Sequence, residues 1–152
     1  ISGLEKKVNA VFETGGAGIG LYGSIDRIDE KDGIERIIDY KTGKVDLKSS
    51  DMEQLFTNPG KKALFQLYFY SLLFKLNNPE VPLKTGFYLA RDLRSGISWL
   101  NDGAIVSEEM LNEFKSLLRN KLSEIMSADF AFSQTSDTKQ CIHCPYKILC
   151  NR

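Results

Sequence analysis

The clearest fold signal in this sequence lies between residues 23 and 44, which read GSIDRIDEKDGIERIIDYKTGK. Isoleucines alternate with polar residues in its first half, and a second isoleucine-rich run follows the dipeptide Asp32-Gly33. Asp-Gly is a preferred turn between antiparallel strands, because both positions tolerate a positive φ. The stretch therefore predicts a β-hairpin.

The predicted hairpin carries charged side chains at positions that a metal site would need. Asp39 and Lys41 are two residues apart, so the period of a strand puts them on one face, and the first strand brings Asp26 close to them. Two carboxylates beside an ammonium are costly unless they pair or bind a cation. Mg²⁺ prefers oxygen ligands such as those of Asp26, Asp39 and the Tyr40 carbonyl. Lys41 would then activate a metal-bound water or neutralise a phosphoryl group.

A helix is predicted over residues 61–76, KKALFQLYFYSLLFKL, which are apolar almost all round and therefore expected to be buried against the sheet. Gln66 and Tyr70 are four residues apart and share a face of this helix. A buried glutamine needs hydrogen-bond partners. The acids of the sheet, a metal-bound water, a phosphate or nearby backbone are the alternatives.

Three cysteines, Cys141, Cys144 and Cys150, stand near the end of the sequence. Iron-sulfur clusters are commonly held by four thiolates and zinc by four Cys or His ligands. His143 is the only histidine, and its place between two of the ligands makes a tetrahedral zinc site awkward to close. Three free structural thiols are the remaining alternative. An odd number of cysteines at this spacing favours a reducing compartment, so we expect a cytoplasmic protein.

These motifs together resemble those of a known family. Asp26 followed by Asp39-Tyr40-Lys41 resembles the PD-(D/E)XK nuclease signature, and GSIDRID with IIDYKTGK is similar to its RecB/AddB exonuclease branch. Gln66 and Tyr70 match the Q-x-x-x-Y motif of that branch. The cysteines match the last three of four iron-sulfur ligands in AddB-like members. Four motifs in the family's order over residues 4–150 are far more specific than D-x-K alone.

The resemblance implies a restriction-endonuclease-like α/β core, with a mixed central β-sheet flanked by helices and a first helix that would precede residue 1. It implies a Mg²⁺- or Mn²⁺-dependent DNA exonuclease that hydrolyses phosphodiester bonds in recombination and double-strand break repair. DNA and a helicase domain or partner subunit would be its partners, with no membrane association. The rivals are a CRISPR-associated iron-sulfur exonuclease and a non-catalytic DNA-end-binding module of the same fold.

The same resemblance assigns roles to individual residues. The catalytic set is Asp26, Asp39, Lys41, Gln66 and Tyr70, and the metal ligands are Asp26, Asp39 and Tyr40. The [4Fe-4S] ligands are Cys141, Cys144 and Cys150, with the fourth cysteine far upstream in a longer parent protein. The cluster is therefore expected to be absent or incomplete in this chain, whose start, ISG without methionine, suggests a fragment.

Composition sets the limits of this interpretation. The 152 residues fit one domain, divided here into a nuclease core, 1–138, and a cysteine-rich clasp, 139–152. Lys plus Arg and Asp plus Glu are both 20, so the formal charge is zero and DNA contacts must come from local basic residues. The candidates near the site, each as well explained by a solvated surface, are Lys44, Lys48, Lys61 and Lys62.

The remaining elements follow from periodicity and turn signals. Strands are predicted over residues 4–12, 85–90 and 96–100, and a second long helix over 107–127. Residues 45–60 are expected to form a mobile substrate-side loop or a weakly ordered connection. Glu5 is interpreted as a structural or surface residue.

Overall fold

The computed structural model describes residues 1–16, 18–47 and 51–151. Its elements, in chain order, are β1 (Gly3–Glu13), β2 (Gly18–Lys31), β3 (Ile34–Lys41), α1 (Gln54–Thr57), α2 (Lys62–Asn77), β4 (Leu83–Leu89), β5 (Ile97–Trp99) and α3 (Glu108–Met126). Short 3-10 turns lie at Pro59–Lys61, Leu100–Gly103 and Thr138–Cys141. The predicted α/β class, a mixed sheet flanked by helices as in restriction-endonuclease-like cores, is confirmed.

The five strands form one sheet in the order β1-β2-β3-β4-β5. The pair β3/β4 is parallel and the other three pairs are antiparallel. The predicted turn between β2 and β3 has positive φ at both central residues, 56° at Asp32 and 76° at Gly33. Parallel strands need a crossover connection, and α2 provides it between β3 and β4.

β2 has a break in its alternation at Asp26. Ile25 and Ile28 are both buried in the core although they are three residues apart, which a regular strand does not allow. The pairing of β2 with β3 runs from the turn only as far as Arg27 opposite Ile38. Beyond that point β3 pairs with β4 alone. A gap therefore opens between β2 and β3 next to Asp26.

The hydrophobic core lies on the face of the sheet that α2 covers. α3 packs on α2 through Phe114, whose ring centroid is 5.6 Å from that of Tyr68 and 5.3 Å from that of Phe65. Close approach of α2 to β2 depends on Gly23, since a Cβ there would lie 2.9 Å from Leu73 Cδ1 and 3.1 Å from Tyr70 Cε1. The sheet and helix are thus in contact beside the gap.

The connection between β3 and α2 is more ordered than the sequence indicated. Its described part contains α1, in which Leu55 is buried, and the ring of Phe56 packs 5.2 Å from that of Phe114. Leu55 and Phe56 lie in α1 and Met52 just before it; Leu55 belongs to the hydrophobic core, and Met52 and Phe56 pack against it. The expectation of a mobile or weakly ordered segment is therefore wrong for residues 51–60.

After α3 the chain has little regular structure as far as residue 151. Most residues from 127 to 151 are exposed, and Thr138–Cys141 form the one short 3-10 turn among them. In the described ranges no helix combines the length and the apolar character that a membrane crossing requires.

Candidate active site

Asp39 lies on β3, faces α2 and is 1% exposed. Its Oδ2 atom is 2.8 Å from Lys41 Nζ in an ion pair, but it takes part in no well-formed hydrogen bond with a described residue. Burial raises the pKa of Asp39, Lys41 opposes that shift, and the charge of Asp26 adds to it. The free-energy cost of burying the Asp39 carboxylate is thus only partly offset by Lys41.

Asp26 is half-buried at the break in β2 and spans the gap to β3. Its Oδ2 atom accepts a hydrogen bond from the backbone N–H of Tyr40 at 2.9 Å. The N–H and C=O groups of one strand residue point to the same side. The Tyr40 carbonyl is therefore directed into the gap that Asp26 borders.

Lys41 is tied to α2 by a short chain of hydrogen bonds. Its Nζ donates to Gln66 Oε1 at 2.7 Å, and Gln66 Nε2 donates to the Tyr70 hydroxyl at 2.7 Å. The ammonium also lies 5.7 Å from the centroid of the Phe87 ring. The partners of Gln66 in the structure are therefore Lys41 and Tyr70, neither of which was among the alternatives that the sequence left open.

The predicted site residues therefore meet at one place, which β2, β3 and α2 build together. An open depression of about 550 Å³ lies at the gap and is lined by Leu4, Glu5, Asp26 and Tyr40. The β1–β2 pairs on both sides of Glu5 place it directly opposite Asp26, with φ of 45°. Glu5 was interpreted as a structural or surface residue, because its position opposite Asp26 depends on the register between the two strands.

The donor set at the gap suits a hard divalent cation. Asp26, Asp39 and the Tyr40 carbonyl offer oxygen atoms, and a cation would offset the part of the burial cost of Asp39 that Lys41 does not. No three His, Cys, Asp or Glu side chains are grouped as a metal site within the described ranges. Two carboxylates and a carbonyl, completed by water or phosphate oxygens, are the kind of site that Mg²⁺ accepts.

The lysines proposed for phosphate contact differ in their surroundings. Lys44 and Lys62 are exposed, whereas Lys61 is 9% exposed and forms an ion pair with Asp46. Lys61 is thus neither a solvated residue nor one available to a phosphate, because its ammonium is already engaged in the connection before α2. Lys48 lies outside the described residues.

Cys141, Cys144 and Cys150 are half-buried free thiols. A turn brings the first two together along the backbone, with Cys144 N donating to Cys141 O at 3.2 Å. Their predicted role as iron-sulfur ligands stays a prediction, as does the boundary at residue 138.

One charged cluster near the site was missed from the sequence. Asp29 is 2% exposed, and its carboxylate pairs with both Arg27 and Arg36. Burial alone would raise the pKa of Asp29, but hydrogen bonds from Arg36 and Arg27 outweigh it and hold that pKa below its ordinary value. The motif GSIDRID contains both Asp26 and Asp29, but the partners of Asp29 depend on the pairing that places it opposite Arg36.

Comparison with known proteins gives one match. The family model of the PD-(D/E)XK nuclease superfamily matches residues 2–151. Neither the curated proteins nor the solved structures gave a significant match.

Proposed function

Because the chain belongs to the PD-(D/E)XK nuclease superfamily, whose members are generally nucleases, we propose that it is a metal-dependent DNA exonuclease domain that hydrolyses phosphodiester bonds. The observation that carries the proposal is the convergence of Asp26, Asp39 and Lys41 on one gap in the sheet. The buried Asp39 carboxylate, whose cost of burial Lys41 offsets only in part, supports a cation at this gap.

In this proposal Asp26, Asp39 and the Tyr40 carbonyl hold Mg²⁺ or Mn²⁺. The ion would supply charge neutralisation at the phosphate and a more acidic bound water. Lys41 contributes an ammonium that Gln66 holds beside Asp39, where it orients the attacking water or stabilises negative charge on the phosphoryl oxygens. Tyr70 fixes the orientation of the Gln66 amide and acts as a positioning residue.

The wider setting of the activity is also a proposal. The order of the four motifs favours a RecB/AddB-type domain in a longer helicase-nuclease or repair protein. There Cys141, Cys144 and Cys150 would bind a [4Fe-4S] cluster with one upstream cysteine. Recombination and double-strand break processing would be the process that it serves.

The deciding experiment compares Asp39→Asn with Asp32→Asn on linear single-stranded and duplex DNA, in Mg²⁺ and in EDTA. Asp39→Asn is expected to slow hydrolysis by at least about a hundredfold, since it removes charge from the centre of the site. Asp32 is exposed in the hairpin turn, where asparagine also tolerates a positive φ, so its variant should keep wild-type activity.

DNA affinity provides the second measurement. Asp39→Asn should bind DNA about as well as the wild type, because affinity for the phosphate backbone comes mainly from basic side chains. Hydrolysis that persists in Asp39→Asn, or that EDTA leaves unchanged, would contradict the proposal. A folded variant that loses binding and hydrolysis equally would mean that Asp39 has another role.

A further inference from the structure

The loop between β4 and β5 leaves the sheet directly beside the candidate active site. β3 and β4 are parallel, so their carboxyl ends lie at one edge of the sheet, and the register places Lys41 next to Leu89. The chain stays attached to that edge after β4, because Ala90 N donates a hydrogen bond to the Lys41 carbonyl at 2.9 Å. The loop therefore begins one strand away from Asp39 and Lys41.

This loop, residues 90–96 with the sequence ARDLRSG, is called here the arginine loop. It joins two antiparallel strands that pair as far as Tyr88 with Ile97, and hairpin loops of about two to five residues are enough for such a connection. Residues beyond that length are not needed to reverse the chain. Binding residues are found disproportionately on loops that a rigid scaffold positions, as the sheet does here.

A tight turn inside the arginine loop fixes its shape. The Asp92 carboxylate accepts hydrogen bonds from the Ser95 hydroxyl and from Ser95 N, the latter at 3.3 Å. Asp92 N donates to the Leu89 carbonyl at 3.0 Å. The Ser95 hydroxyl foremost, together with backbone N–H groups, holds the pKa of Asp92 below its ordinary value. The carboxylate is thus ionised and engaged within the loop.

Arg91 and Arg94 lack a comparable partner. Both side chains are exposed, and neither forms an ion pair with any residue that the structure describes. Asp92 is the only acid in the loop, and Ser95 occupies its carboxylate. Both guanidinium groups are therefore free to bind an anion.

Another exposed cation lies at the same edge of the sheet. Lys44 follows the end of β3 and is exposed, whereas the next acid along the chain, Asp46, is paired with Lys61. The formal charge of the whole chain is zero. The carboxyl ends of β3 and β4 nevertheless carry an excess of positive charge beside the candidate active site.

We propose that the arginine loop binds the DNA backbone, with Arg91 and Arg94 contacting phosphates next to the scissile phosphate. A guanidinium suits this role because it donates two parallel hydrogen bonds to phosphate oxygens. The proposal rests on the proposed function, since it places the loop beside the bond on which Asp39 and Lys41 act. It extends that function, because hydrolysis then depends on charged phosphates beyond the one that is attacked.

An acidic peptide is the other anion that two free arginines bind. DNA is favoured because the loop adjoins the edge at which a nuclease must admit its substrate. Open sheets with parallel strands also bind their ligands outside the carboxyl ends of those strands. The position of the arginine loop in the fold therefore agrees with a contact to the substrate.

The first test measures the affinity of the 152-residue chain for duplex DNA in EDTA, at several salt concentrations. Arg91→Gln and Arg94→Gln should each weaken binding on the order of tenfold, as the loss of a charged hydrogen bond predicts. Each should also lower the slope of log affinity against log salt by about 0.9, the value for one phosphate contact. Arg91→Lys and Arg94→Lys keep the charge and should keep the slope.

The matched control is Lys31→Gln, which removes an exposed cation beside the turn at the opposite end of β3. Its affinity and salt slope should equal those of the wild type. Arginine variants that bind DNA as the wild type does overturn the proposal and leave the loop to an acidic protein partner. An equal loss in Lys31→Gln also overturns it, because net charge alone would then explain the effect.

The second test locates the contact along the DNA. One uncharged methylphosphonate linkage is placed at successive positions from the end of the strand. The wild type should lose affinity at one or two neighbouring positions, and the double variant Arg91→Gln/Arg94→Gln should show no loss there. In Mg²⁺ these positions should adjoin the bond that is cut.

The outcomes of the second test separate the two proposals. Equal sensitivity of the wild type and the double variant at every position, or a sensitive position remote from the cut, overturns the role of the arginine loop. A chain that shows the expected sensitivity in EDTA but never cuts DNA would instead refute the proposed hydrolysis and leave the phosphate contact standing.

Discussion

Asp39 keeps its carboxylate in a place where the negative charge costs free energy. The side chain is 1% exposed, and the Lys41 ammonium offsets only part of the cost of its burial. The net result is a raised pKa for Asp39. A folded chain therefore binds a proton at Asp39 at a higher pH than an unfolded chain does.

The raised pKa of Asp39 predicts how the stability of the folded chain depends on pH. A raised folded pKa stabilises the folded chain at low pH, and the benefit is lost as the pH rises through the raised value. Asp39→Asn removes this contribution. The free energy of unfolding of the variant minus that of the wild type should thus be more positive at pH 7 than at pH 4. Urea titrations in EDTA at both values measure it; a difference that does not change with pH, or that changes in the opposite direction, contradicts the burial argument.

Single residues also show where prediction from sequence ended. The period of a strand was sufficient to place Asp39 and Lys41 together, because both lie on one regular strand. The surroundings of Glu5 and Asp29 were not foreseen, since they depend on the register of β1 and on the pairing of β2 with β3. Those features arise from tertiary contacts, which no local pattern reports.

At the scale of elements, Asp29 holds the β2–β3 hairpin together. It sits on β2 opposite Arg36 of β3, and it pairs with Arg27 on its own strand as well. A buried carboxylate with two guanidinium partners fixes the two strands in one register where their pairing ends. The gap at Asp26 begins directly beyond this cluster.

Asp29→Asn should therefore lower the free energy of unfolding by about 3 kcal/mol at pH 7. This is near the lower end of the cost of breaking a buried ion pair, because both arginines keep some contact with water. The pKa of Asp29 is lowered in the folded chain, so its stabilisation is present above the unfolded value and fades as the pH falls through the folded value. Chemical denaturation at pH 7 and pH 3 tests both statements. A neutral effect at pH 7 would mean that the cluster does not stabilise the hairpin; Asp32→Asn is again the control.

At the scale of the whole molecule, element order followed from the sequence because hydrophobic periodicity changes clearly between strands and helices. The start of α3 was also predictable, since Ser107 accepts a hydrogen bond from Met110 N and caps the helix. α1 could not be predicted, because a single helical turn has too few residues for a periodic signal. Its burial against Phe114 depends on the position of α3 much later in the chain.

The C-terminal segment is expected to contribute little to the stability of this chain. Residues 139–151 are mostly exposed and include the large apolar side chains of Ile148 and Leu149 among the exposed ones. A chain that ends at Thr138 should unfold with a free energy within about 0.5 kcal/mol of the full chain. A chain that ends at Ser116 also lacks the buried Leu118, and its free energy of unfolding should be much lower than that of the full chain. A large loss on the shorter deletion would show that the clasp is part of the core.

The break in β2 has a consequence for how related sequences are compared. Before Asp26, β2 pairs only with β1, whereas from Arg27 onwards it also pairs with β3. A single residue inserted into or deleted from β3 between Ile34 and Asp39 would reverse the face on which Asp39 lies. Alignments of such chains are best anchored on Asp26 and Asp39, with the first hairpin aligned independently.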